Sequence, residues 1–389
     1  MYIGNYLRKF SNSILRGKLI YGITKELQMN VLTTINCKGP FSVYRAQIEM
    51  ICLLKNKGVN IKVIGFFSDQ IKLFFDNKGV ANSNIFPKKS IDQQYIKDVK
   101  NIIKNDRIDI LHVLDGKSLR NCVLSVKKEN VKLITYFGSA SLYWHDLSSY
   151  LTYLNPRVDK IICNSIYVFE HVKKQLFKKN KNKVVKIYKG YNPNWFKDVV
   201  PFDFSSIGIP KDSVIVALAG TNTKNKRITD FINSSAYITT EKKVHFVVFG
   251  KETDATNLNK CKHASPVKNN IHLLGLRPDA VSLIKGSDIY VQTSISEGFG
   301  RAISEAMCVA KPIIMTNAGG CTELIDETSG IVTPIKEPKL LGKAISKLVN
   351  NPELRVQMGN NAKKRMDKVY HIHDTVEDTL ALYRKLFIQ

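Results

Sequence analysis

At 389 residues the chain exceeds one ordinary hydrophobic core, and 44% hydrophobic residues with no long low-complexity tract exclude a disordered or fibrous protein. A formal charge of +26 calls for an anionic membrane surface, a nucleic acid, or an exterior that has drifted to Lys and Asn; no nucleic-acid-binding motif accompanies it, so nucleic acid is set aside as a partner. Seven scattered cysteines with neither close pairs nor Cys/His ligand spacing exclude a disulfide scaffold or zinc module, and with no membrane-spanning apolar run or secretion signal the expected location is cytoplasmic, peripheral on the inner face of the plasma membrane.

Residues 1–27 read as a basic amphipathic extension. Tyr2, Ile3, Tyr6, Leu7, Phe10, Ile14 and Leu15 set an apolar stripe interrupted by Arg8, Lys9, Arg16 and Lys18. Such a stripe suits an interfacial membrane helix or a helix packed on the protein's own first domain. Residues 28–195 read as that first domain: a strand at 30–36, a tight turn at Gly39-Pro40, a helix at 43–57 closing near Gly58, and a strand at 61–65. This β-loop-α-β succession predicts a right-handed crossover and a parallel sheet. No Gly-x-Gly-x-x-Gly follows the first strand, which argues against a dinucleotide-dependent dehydrogenase. Later strands are expected at 108–114, with His112 a satisfied core residue, and at 131–138, ending in Gly138-Ser-Ala-Ser141. Two more follow at 158–165 and 184–192. Pro201, Gly208 and Pro210 mark a linker over 196–212.

Residues 213–370 read as a second α/β domain. A strand at 214–219 leads into Gly220-Thr-Asn-Thr-Lys-Asn-Lys-Arg227, and a buried strand at 288–293 leads into Ser294-Ile-Ser-Glu-Gly-Phe-Gly-Arg-Ala-Ile-Ser-Glu-Ala-Met307. Glu297 to Gly300 therefore lie where a strand gives way to a helix at 301–309, the edge at which parallel sheets take ligands. Helix-initial N–H groups can meet an anion there, and glycine permits close approach. Glu297 and Glu305, eight residues apart, can each accept paired sugar hydroxyls. Alone, the two carboxylates also fit a solvated first turn that complements the helix dipole. Lys311-Pro-Ile-Ile-Met-Thr-Asn-Ala-Gly-Gly-Cys-Thr-Glu-Leu-Ile325 then repeats strand, double-glycine turn at Gly319 and Gly320, and helix start. A last helix is expected at 373–387, within a segment 371–389 set apart from the second domain.

Ser-Glu-Gly-Phe-Gly-x4-Glu-Ala-Met followed by Lys-Pro-Ile-Ile-x4-Gly-Gly-x2-Glu-Leu-Ile resembles the donor-site signature of the retaining nucleotide-sugar glycosyltransferases of family 4 (glycosyl transferases group 1). The resemblance implies an α/β protein of GT-B arrangement: two Rossmann-like, doubly wound parallel-sheet domains facing a central cleft, with the last helix crossing back to the first domain. It implies that Glu297 contacts the transferred sugar, that Glu305 holds the nucleotide ribose, and that Gly298, Phe299 and Gly300 line the sugar and diphosphate. The family's lysine falls on Lys226. Its usual arginine is replaced by Thr221 beside Gly220, leaving Arg227 or Lys224 to supply the second charge. A solvated basic loop is the alternative for this cluster.

The histidine that the family often carries just before the glycine ending the 131–138 strand is replaced by Phe137. Gly39, Gly138, Ser139 and His145 are the candidates for the acceptor side of the cleft, although His145 beside Trp144 also reads as structural. The function implied is retaining transfer of a sugar from a UDP- or GDP-sugar to a hydroxyl of a cell-surface glycan or lipid-linked oligosaccharide. It needs neither cofactor nor metal, since no Asp-x-Asp occurs. The alternatives are a sugar-nucleotide epimerase of the same fold, or a membrane-associated scaffold that has lost catalysis.

Overall fold

A computed structural model describes residues 29–388; the extension assigned to residues 1–27 lies outside the described residues. The first domain is a sheet of β1 (Asn30–Thr34), β2 (Asn60–Ile64), β3 (Ala81–Ser83), β4 (Ile110–Val113), β5 (Lys132–Phe137), β6 (Lys160–Cys163) and β7 (Val184–Lys186). The spatial order is β3-β2-β1-β4-β5-β6-β7, every pair parallel. Helices α1 (Phe41–Asn56), α2 (Asp69–Asn77), α3 (Gln93–Asn105), α4 (Gly116–Ser125) and α5 (Ile166–Lys174) connect them.

The second domain repeats the plan with β8 (Val214–Ala219), β9 (Val244–Phe249), β10 (Ile271–Leu273), β11 (Ile289–Gln292), β12 (Ile313–Thr316) and β13 (Gly330–Thr333), ordered β10-β9-β8-β11-β12-β13 and again all parallel. Its helices are α6 (Ile228–Ser234), α7 (Thr256–Ala264), α8 (Ala280–Gly286), α9 (Arg301–Cys308), α10 (Pro338–Val349) and α11 (Pro352–Val369). All six residues of β8 and of β9 are buried. A strand buried on both faces needs such a continuous apolar run rather than alternation. In each sheet the order reverses beside a central strand, between β1 and β4 and between β8 and β11, and crevices open at such reversals.

The last helix, α12 (Ile372–Phe387), returns to the first domain, where Val376, Leu380, Tyr383 and Leu386 join Val31, Ile48 and Ile51 in one core. The link between domains carries short turns at Pro193–Phe196 and Phe204–Ile207, and Tyr191, Phe196 and Phe204 already pack into the second core. No described helix is long and apolar enough to cross a membrane.

The two doubly wound parallel domains expected from the sequence are present, with local differences. Helix α1 starts two residues early, because Pro40 at φ −58° is already shaped for a helix start. The strand expected over 184–192 ends at Lys186. Beyond it the chain turns toward α12: Tyr191 N–H donates to the Tyr370 carbonyl, and a Cβ on Gly190 would come within 2.6 Å of the His371 carbonyl oxygen. The segment after Gly319 forms a single 3-10 turn, Gly320–Leu324, instead of an α-helix. His112 is only half satisfied: Nδ1 lies 2.6 Å from the Tyr383 hydroxyl, while buried Nε2 has no partner.

Candidate active site

The loops that leave β8 and β11 flank the order reversal of the second sheet, and hydrogen bonds lace them together. Ile295 N–H donates to the Asn225 carbonyl at 2.9 Å, the Asn225 amide to the Ser296 carbonyl at 2.7 Å, and the Thr293 hydroxyl to the Lys226 carbonyl at 2.8 Å. This stitching sets Lys226 Nζ 2.6 Å from Glu297 Oε2. The pair keeps 24% and 19% of its side-chain surface exposed, so both charges remain accessible from the cleft.

Glu297 is oriented from beneath. Ser294 Oγ donates to its Oε2 at 3.2 Å, and Ser294 receives the Gln292 amide at 2.9 Å. The Tyr290 hydroxyl lies 3.0 Å from Gln292 Oε1. Tyr290 and Gln292 sit within β11, where polar groups in a buried strand must find partners among themselves. The loop after β12 fixes the backbone: Glu297 N–H donates to the Ala318 carbonyl at 2.7 Å, and Gly320 N–H to the Glu297 carbonyl at 2.9 Å.

Glycines let three loops meet. A Cβ on Gly298 would fall 1.9 Å from the Gly138 carbonyl oxygen of the first domain, and one on Gly320 would fall 2.0 Å from the Gly298 carbonyl oxygen. Gly300 and Gly319 hold φ of +94° and +92°, backbone that residues with a Cβ rarely adopt. Glu323 crosses the cleft. Its two oxygens accept the N–H groups of Ile166 and Tyr167 at 2.9 and 2.8 Å, at the start of α5, and the Tyr188 hydroxyl at 3.0 Å.

Glu305 lies on α9, 2% exposed, with Oε1 2.9 Å from Arg301 Nη1. Burial pushes its carboxyl up, opposed by the Arg301 and Lys189 charges. Lys189 is pushed down to about 8, chiefly by burial and then by Arg301, while Glu305 pulls it back up.

Residues 199–365 match the family model of the glycosyl transferases group 1, and that match spans the Lys226 loop, both carboxylates and the double glycine. Nearly all of the second domain is therefore similar to the glycosyl transferases group 1. An uncharacterized glycosyltransferase of Methanocaldococcus jannaschii is 29% identical over 277 residues, 68% of this chain and 72% of that protein. The N,N'-diacetylbacillosaminyl-diphospho-undecaprenol alpha-1,3-N-acetylgalactosaminyltransferase of Campylobacter jejuni is 29% identical over 160 residues, 41% of each chain. Among solved structures, Anabaena HepE in complex with UDP and glucose has a TM-score of 0.77 at 16% identity, covering 92% of this chain and 100% of its own. The fold is that of GT-B proteins.

Not every residue singled out by sequence reaches the crevice. Arg227 adopts φ +48° at the N-cap of α6 and spends its guanidinium on Asp230, with Nε and Nη2 at 2.9 and 2.6 Å. Thr221 and Lys224 are exposed, and Gly220 lies against the Lys226 stem. Phe299 is as buried as Glu305, with its ring 5.5 Å from Tyr370 and 5.9 Å from Tyr188. Phe137 packs on Tyr153 in the first core.

Of the candidates on the first domain, Gly138 and the Ser139 backbone lie against Gly298 of the second domain. Ser139 is exposed and shares a 2.8 Å hydrogen bond with Ser141; Gly39 sits beside the Tyr44 ring. His145 is exposed and stacked on Tyr143, a surface position. Ser294, Gln292, Tyr290 and Glu323 are the residues sequence reasoning passed over. Polar side chains interrupting the apolar β11, and a Glu at the end of the second motif, were their only marks. Among the described residues no group of three His, Cys, Asp or Glu gathers as a metal site.

Proposed function

We propose that this protein transfers a sugar, with retention of anomeric configuration, from a UDP- or GDP-sugar to a hydroxyl of a cell-surface glycan or lipid-linked oligosaccharide. The acceptor would lie against the first domain, and the anionic inner face of the plasma membrane would be its working surface. The observation that carries the reading is the Lys226–Glu297 pair, half-open to the cleft at the order reversal of the second sheet. A diphosphate entering beside Lys226 competes for its ammonium. Glu297 is then freed to accept hydroxyls of the transferred sugar while Ser294 keeps it oriented.

Leaving-group charge is met by Lys226 and by the backbone N–H groups that open α9, a role that in other sites falls to a divalent ion. The acceptor hydroxyl attacks on the face from which the nucleoside diphosphate departs. Its proton passes to the departing phosphate, so Glu297 forms no covalent intermediate. Glu305 and the Arg301 beside it are assigned to the ribose.

The test is release of nucleoside diphosphate from a sugar nucleotide with and without an acceptor glycan, in the presence of a chelator. Acceptor-dependent release that survives chelation supports the reading. Donor consumption without acceptor would favour an epimerase, and strong inhibition by the chelator would contradict the metal-free scheme.

A further inference from the structure

On the first domain, the loop that follows β5 exposes large apolar side chains. Trp144 is 62% exposed, Leu147 81%, Leu151 51% and Tyr143 44%. The loop is built against the far end of α5. His171 Nε2 lies 2.7 Å from the Leu142 carbonyl, Trp144 N–H donates to Gln175 Oε1 at 3.1 Å, and the Tyr143 ring stands on His171. Two residues beyond Gln175, Phe177 is 69% exposed. The patch is therefore one surface, assembled from two segments and held by hydrogen bonds that keep its apolar groups outward.

Its rim is cationic. Residues 173–183 read Lys-Lys-Gln-Leu-Phe-Lys-Lys-Asn-Lys-Asn-Lys, and Lys174, Lys178, Lys179 and Lys181 are exposed. The acidic groups nearby are committed: Glu170 to Lys173 at 3.9 Å, and Asp146 to Ser148 and Ser149 within its own turn.

We propose that this surface docks the protein on a bilayer of anionic phospholipid, with Trp144, Leu147 and Phe177 entering the interface and the lysines meeting headgroups. Apolar side chains ringed by lysine are what an interfacial protein presents to such a membrane. Two other occupants fit the chemistry less well. The chain's own residues 1–27 carry Arg8, Lys9, Arg16 and Lys18, so the lysine rim repels them. A single-stranded nucleic acid would stack on aromatic rings, whereas Leu147 and Leu151 offer aliphatic surface that gains from hydrocarbon. The proposal deepens the membrane part of the function proposed above and places that membrane on the acceptor domain; it does not depend on the donor assignment.

The experiment is co-sedimentation of the full-length protein with vesicles of phosphatidylcholine alone or mixed with phosphatidylglycerol. The wild type should pellet with the mixed vesicles only, and less so as salt rises. Trp144→Ser/Leu147→Ser/Phe177→Ser, all at exposed positions, should weaken that binding by at least about tenfold, as should Lys178→Glu/Lys179→Glu/Lys181→Glu. A wild type that stays in the supernatant overturns the proposal. So does a triple variant that pellets like the wild type, or wild-type protein that binds a single-stranded oligonucleotide through these residues but not the vesicles. Thermal shift by sugar nucleotides, measured on the same variants, keeps the two readings apart: lost pelleting with a retained shift concerns the surface alone.

Discussion

Lys226 and Glu297 neutralise each other at 2.6 Å, and that pairing gives the site a switch. Lys226→Ala removes the cation paired with Glu297, and Arg227 cannot replace it while its fork is held by Asp230. The turnover of transfer should fall by about 10²–10³, the usual cost of losing a group that meets developing charge; a steady-state assay at saturating donor measures it. Glu305→Ala should weaken UDP or GDP binding by roughly 1.5–3 kcal/mol by calorimetry, the scale of hydrogen bonds to a charged group. Because that change leaves Arg301 without its carboxylate, Glu305→Gln serves as the second variant, and unchanged binding in both would remove the ribose assignment. These residues were legible because their spacing is itself the signal. Arg227 misled because its destination depends on φ +48° and on Asp230 three residues later, a local fork that competes with any ligand for the same guanidinium.

The contact between α5 and the 3-10 turn that carries Glu323 joins the two domains. The Glu323 carboxylate caps two free N–H groups at the N-terminal end of α5, where the helix dipole favours negative charge. It acts as a clasp between domains. Glu323→Ala should therefore shift the protein toward an open arrangement, seen as an increased radius of gyration in X-ray scattering and a raised KM for donor. Unchanged scattering would show that the clasp contributes nothing. Gly298→Ala tests the same closure from the other side, since its methyl would meet the Gly138 carbonyl oxygen at 1.9 Å. Scattering should again report the open form. Most of the elements themselves were legible from apolar runs and turn residues, as the fully buried β8 and β9 illustrate. The exceptions, the shortened β7 and the turn after Gly319, lie where the chain serves a contact between domains, and local pattern carries no trace of a partner more than a hundred residues away.

For the whole molecule, α12 carries the end of the chain back into the first domain, where its Tyr383 meets His112. Burial pushes the His112 imidazole down from 6.5 to about 3. Between those values the unfolded chain binds more protons than the folded one, so stability falls as pH is lowered from 6.5 toward 3. By pH 5 the loss from this residue alone is on the order of 2 kcal/mol. Urea unfolding of His112→Gln should show a shallower loss of stability between neutral and acid pH than the wild type, whatever its stability at pH 7. An identical slope would contradict the assignment. The sequence placed His112 in a core correctly, but not its unpartnered Nε2, because which atoms find partners depends on a helix arriving from the other end of the chain.

A nucleoside diphosphate sugar site built around Lys226 and Glu297 is tested by a thermal-shift panel of UDP-, GDP-, ADP- and dTDP-sugars on the full-length protein. Ligand at about a hundred times its Kd stabilises the folded state by about 2.7 kcal/mol. Such a shift is expected for the sugars of one base, largely lost in Lys226→Ala. Silence across the panel from folded protein, or an equal shift in wild type and Lys226→Ala, would contradict it.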